Sequence, residues 1–181
     1  MIRAEPTSSS YKKPTILISG VGNELRQDDG FGIAVVRRLQ ESNNLPEHVK
    51  IIETGIAGIS LVQELMDGYD ALLLIDAVSR EGKPGQLYLL EPEVPDLEAL
   101  PVEAQRDFLA DMHYANPTRA LILAKAMRVL PKQVYILGCE AAQHDDFAMG
   151  MSLAVQSAIP QALSRIEKWI AEFGSKPETC I

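Results

Sequence analysis

Residues 15–32 read TILISGVGNELRQDDGFG, and their reading decides the fold. TILIS (15–19) is a short apolar run ending at Gly20, the pattern of a strand buried on both faces. From Gly30 to Gln40 the residues Ile33, Val36 and Leu39 recur at helical spacing, with Arg37, Arg38 and Gln40 turned elsewhere. Between strand and helix stands GVGNELRQDDGFG (20–32), two glycine-framed turns around adjacent aspartates. A strand, turn and helix in this order open an α/β sheet, and the turn falls at the carboxyl edge of the strands, where ligands gather. The turn could hold nucleotide phosphates, which want glycines and a helix N-terminus, or a cation, which wants carboxylates.

The same alternation continues along the chain. VKIIE (49–53) reads as a second strand, ISLVQELM (59–66) as a short amphipathic helix stopped by Gly68, and DALLLIDAV (70–78) as a third strand charged only at its start and at Asp76. After a turn containing Gly82, Pro84 and Gly85, QLYLL (86–90) predicts an antiparallel strand, because so short a connection turns the chain back. Residues 91–111 are acidic and contain Pro92, Pro95 and Pro101, which suits an irregular surface excursion with one helical turn. Pro117 to Leu130 reads as helix, VYILG (134–138) as a buried strand, and about 149–173 as a long terminal helix kinked or divided by Pro160. These elements predict an α/β three-layer sandwich, with a mostly parallel sheet of about five strands and helices on both faces. One domain spans 15–174, between a disordered leader (1–14) and a C-terminal tail (175–181).

Composition narrows the function. A formal net charge of −8 opposes the phosphate backbone, so nucleic acid is not an expected partner. No apolar run reaches the roughly 18 residues a membrane span requires, and MIRAEPTSSSYKKP lacks the apolar core of a signal peptide, so a cytoplasmic location is expected. Cys139 and Cys180 are far apart and suggest neither a disulfide framework nor a CxxC site. A monomer is expected.

The dinucleotide alternative fails on particular residues. A third glycine is wanted where Leu25 stands, and Glu24, Asp28 and Asp29 would repel a pyrophosphate by several kcal/mol. Asp28 suits a helix N-cap and Asn23 a turn. Asp29 is different, because Asp76, ending the third strand, should project from the same edge of the sheet. Two carboxylates converging in a cleft raise each other's pKa unless a cation or shared proton relieves them. His48 precedes the second strand at the opposite edge and reads as solvated, whereas His113 and His144 both reach the carboxyl edge, the latter beside Asp145 and Asp146. Spacing alone ranks these two evenly. Two carboxylates with one imidazole suit Zn, Ni, Fe or Mn with positions left open. No Ser-His-Asp, Cys-His or HExxH pattern is present.

GVGNELRQDDGFG, ETGIAGISL (53–61), LLLIDAV (72–78) followed by PGQLYLL, and His113 before a helix together resemble the [NiFe]-hydrogenase maturation proteases. The resemblance runs from about Ile16 to Ala162. It implies an endopeptidase that removes a C-terminal extension from the nickel-loaded precursor of a hydrogenase large subunit, the expected partner. It also implies that Asp29, Asp76 and His113 bind the metal, with Asp29 and Asp76 catalytic, and it favours His113 over His144. Gly55, Ala57 and Gly58 correspond to a glycine-rich substrate-binding motif, with Glu53 contributing to the same cleft. Gly150, Ser152 and Val155 resemble the segment opening the last helix, with Met151 in place of leucine. The cofactor so implied is nickel, bound directly or presented by the substrate, with zinc as another candidate. The alternatives are a non-catalytic nickel-binding chaperone and a dinucleotide-binding enzyme.

Overall fold

The structure, a computed structural model, describes residues 13–42, 45–103, 105–106, 117–142 and 148–175. The expected leader and tail lie almost wholly outside the described residues. Strand β1 (Ile16–Val21) leads through a 3-10 turn (Gln27–Gly30) into α1 (Phe31–Glu41), followed by β2 (Val49–Gly55), α2 (Gly58–Leu65), β3 (Ala71–Val78), β4 (Leu87–Leu90), α3 (Pro117–Ala126), β5 (Gln133–Glu140) and α4 (Leu153–Ser175). The five strands form one sheet in the order β2-β1-β3-β5-β4, parallel except for the pairing of β4 with β5.

Side chains alternate between the two faces of the strands, so each strand feeds two cores. Ile16, Ile18, Leu73, Ile75 and Leu137 bury under α1 and α4, with Phe31, Val35, Val36, Ile166 and Trp169 packed on them. Leu17, Leu72, Leu74 and Val134 bury on the other face against Leu61, Leu65, Leu121 and Ala124 of α2 and α3. This is the predicted three-layer arrangement, and it explains why β1 and β3 read as continuous apolar runs.

The antiparallel strand expected at 86–90 is present as β4, but its partner is not the strand that precedes it: β3 pairs with β5 from Ala71 to Val78, and β4 takes the far side of β5. The parallel ladder of β3 and β5 runs eight residues, against four for β4, so β5 occupies the inner position. Pro160, meanwhile, does not divide the terminal helix, which continues from Leu153 to Ser175. It sits at an exposed position, where water can satisfy the carbonyl its missing N–H leaves unpaired.

The acidic excursion folds back on the domain. Leu97–Ala99 forms a 3-10 turn, and Lys125 of α3 donates to the carbonyl of Val94 at 2.6 Å and pairs with Asp96 at 2.9 Å. No helix among the described residues is long and apolar enough to cross a membrane.

Candidate active site

Two glycines bring α1 onto the ends of the central strands. A Cβ on Gly32 would stand 2.1 Å from the carbonyl oxygen of Ile75 and 2.3 Å from that of Val21, and one on Gly20 would stand 2.5 Å from the carbonyl oxygen of Gly32. Only hydrogen fits at either position, so the start of α1 rests directly on the backbone of β1 and β3. Asp29, in the 3-10 turn just before α1, and Asp76, immediately after Ile75, therefore meet at the carboxyl edge.

The two carboxylates are held differently. Asp29 accepts the N–H of Asn23 at 2.8 Å through Oδ2, which ties it to its own glycine turn, and Gly22 takes φ +126 where a side chain would strike the Asp29 carbonyl. Asp76 accepts the N–H of Ala77 at 2.9 Å through Oδ1. Burial pushes the Asp76 carboxyl up to about 7, the charge of Asp29 adds to the rise, and the Ala77 N–H opposes it in part. A carboxyl in this state exchanges protons near neutral pH, and a cation between the pair would relieve the repulsion. The donors here fit a hard or borderline divalent ion in kind, two carboxylate oxygens, though no set of three or more ligating side chains gathers among the described residues. His113 and His144, with Asp145 and Asp146, lie outside the described residues.

Asp28 is not the expected helix cap. The cap position of α1 is Gly30, with no side-chain hydrogen bond. Asp28 is wholly buried, accepting the N–H of Ser152 at 2.6 Å through Oδ1 and that of Ala142 at 2.8 Å through Oδ2. Its partners lie 114 and 124 residues away, and nothing near it in sequence separates such a clamp from a cap.

Glu53 ends beside Gly20 in the sheet register, where Arg37 engages it through Nε at 3.1 Å and Nη2 at 2.9 Å while donating to Glu24 at 2.6 Å. These bonds, first to Glu53 and then to Glu24, raise the Arg37 guanidinium well above its usual range. Glu53 thus faces α1 on the outer side of the glycine turn, already ion-paired. Gly55, at φ +54, accepts the N–H of Gly22 through its carbonyl at 3.1 Å, joining the two glycine motifs. Ala57 caps α2. Gly58 opens that helix against Ala120, where an added Cβ would stand 3.2 Å from that of Ala120. Gly55, Ile56 and Gly58 line a small cleft with Val21, Thr54 and Pro117.

His48 is not fully solvated: it is half-buried, its Nε2 has no hydrogen-bond partner, and burial lowers its pKa. At the amino end of β2 it is remote from the carboxylate pair. Ser19 is wholly buried and bonded to the Thr54 hydroxyl at 2.9 Å, which removes it as a nucleophile. The start of α1 is ringed by Glu24, Asp28 and Asp29, a poor seat for a pyrophosphate.

Comparison with known proteins identifies the family. The family model described as "Hydrogenase maturation protease" matches residues 33–169. The hydrogenase expression/formation protein HupM of Azotobacter chroococcum mcd 1 is 32% identical over 162 residues, covering 89% of this chain and 74% of the relative. The hydrogenase maturating endopeptidase HybD from E. coli superposes with a TM-score of 0.71 at 28% identity, over 88% of this chain and 94% of its own. The hydrogenase 2 maturation peptidase from Thaumarchaeota archaeon SCGC_AB-539-E09 gives 0.61 at 31% identity, over 86% and 97%. The chain belongs to the hydrogenase maturation protease family and is a peptidase of that family.

Proposed function

We propose that this peptidase removes a C-terminal extension from the nickel-loaded precursor of a [NiFe]-hydrogenase large subunit, with Asp29 and Asp76 at the reacting centre. The observation that carries the reading is the coupled carboxylate pair, in which Asp76 is held at about 7 by burial and by Asp29. Such a group takes a proton from attacking water and returns it to the leaving amine at neutral pH. Asp29, fixed by the Asn23 N–H, stays in place while that transfer occurs. A divalent ion, either resident or carried in by the precursor as nickel, would be held by Asp29, Asp76 and His113. The chemistry it supplies is polarisation of a carbonyl and activation of water.

The surroundings suit a polypeptide substrate. Leu25, Ile56, Met149 and Leu153 are 54%, 55%, 82% and 81% exposed on the segments flanking the pair, apolar surface that a docking protein would cover. Gly55, Ala57 and Gly58 leave room for a backbone to approach beside it. The precursor is met in the cytoplasm by a monomer of this chain.

The test is incubation with nickel-loaded precursor, followed by mass spectrometry of its C-terminus, for the wild type and for Asp29, Asp76, His113 and His144 each replaced by alanine. Loss of shortening is expected in the first three. A wild type that binds the precursor but leaves it full length would make the protein a chaperone instead, and activity kept by His113→Ala but lost by His144→Ala would move the third ligand.

A further inference from the structure

We infer that Asp28 is a positioning residue for Asp29, a role that rests on the proposed reading of the carboxylate pair. Neighbouring residues of the 3-10 turn point opposite ways. Asp29 turns to the cleft, while Asp28 turns inward and bonds Ala142, just past the end of β5, and Ser152, just before α4. β5 is in turn laddered to β3, with Gly138 opposite Asp76. The bonds thus close a mechanical ring: Asp29, Asp28, Ala142, β5, β3 and Asp76. To the seating of α1 and the β1–β3 ladder, the Asp28 link adds a tie from the Asp29 turn to the far end of β5.

The rest of the turn is held to the same side. Gln27, at φ +52, donates its N–H to the Ala148 carbonyl at 3.0 Å, and Arg26 bridges Ala148 in parallel. Withdrawing a carboxylate completely from water is costly unless N–H donors compensate it. Both Asp28 oxygens are so compensated, from two different segments. An amide of the same shape could accept only one of these N–H groups, because its NH2 would face the other donor. The aspartate is therefore suited to hold two segments at one point directly behind Asp29.

Asp28→Asn tests this while leaving Asp29 and Asp76 untouched. Three quantities are read: melting temperature, affinity for free Ni2+ by calorimetry, and kcat and KM for precursor shortening. The expected result is a protein folded at the assay temperature with kcat lowered about 10- to 100-fold, as for residues supporting a metal or catalytic side chain, KM changed less than about twofold, and Ni2+ binding weakened similarly wherever the wild type binds it. A folded Asp28→Asn with wild-type kcat and Ni2+ affinity overturns the inference. If Asp28→Asn does not fold, Ser152→Pro, which removes one donor and keeps the carboxylate, replaces it, and full kcat there is equally fatal. Failure of the underlying reading looks different: Asp76→Asn would then still shorten the precursor, and Ni2+ affinity alone decides the Asp28 role. A wild type that neither shortens precursor nor binds Ni2+ ends both.

Discussion

Replacing Asp76 by asparagine keeps the side-chain shape and the acceptor for the Ala77 N–H, but removes a carboxylate that the fold moves from 3.8 to about 7. That difference, at ~1.4 kcal/mol per pH decade, makes the ceiling on its destabilising effect about 4 kcal/mol. The sign follows from a folded pKa above the unfolded one. Below 3.8 both states carry the proton and nothing is lost; as pH rises toward 7 the unfolded chain ionises first and the fold is penalised; above 7 the penalty is constant. Chemical denaturation in metal-free buffer should therefore find the stability of Asp76→Asn relative to wild type growing by about 2 to 3 kcal/mol between pH 5 and pH 8. Added Ni2+ should narrow the gap by stabilising the wild type alone. Shortening of the precursor should fall by about 10²- to 10⁴-fold, the usual contribution of a positioned acid-base group. A relative stability equal at the two pH values would refute the strained-carboxylate argument, whatever happened to activity.

Gly32→Ala should cost about 3 kcal/mol or more, since its Cβ would lie 2.1 Å from the Ile75 carbonyl oxygen, and the lifted helix should take Asp29 from Asp76, so melting temperature and cleavage fall together. Arg37→Met should cause only a small loss in denaturation midpoint that about 1 M salt abolishes, because its ion pairs with Glu53 and Glu24 are half-exposed. His48→Gln should flatten part of the acid limb of the stability curve. Burial lowers the folded pKa of His48 beneath its usual 6.5, so its contribution is whole above that value and declines as pH falls through the lowered one.

The layers were legible because β1 and β3 are apolar without interruption and the helices carry one apolar face each, signals local to a few residues. The sheet order was not, since the position of β4 depends on how long a ladder β5 can make with β3, a comparison between segments far apart in the chain. The convergence of Asp29 and Asp76 was legible from the rule that strand ends and glycine turns share an edge. What the sequence concealed is the division of labour between Asp28 and Asp29. An aspartate just before a helix looks the same whether it caps that helix or reaches N–H groups beyond residue 140. The resemblance assigns Glu53 to the cleft, and nothing local in the sequence shows that Arg37 on α1 engages it.

The place of β4 in the sheet has a bearing on synthesis. Its pairing surface on β5 is made only after the acidic excursion and α3 have left the ribosome, so Leu87 has no sheet neighbour while the first half of the chain waits. A nascent chain stopped before Gln133 would lack both β5 and the Ala142 contact behind Asp29. Truncated products should therefore be sticky and inert, and the peptidase cannot assemble its cleft until β5 and the start of α4 have been made.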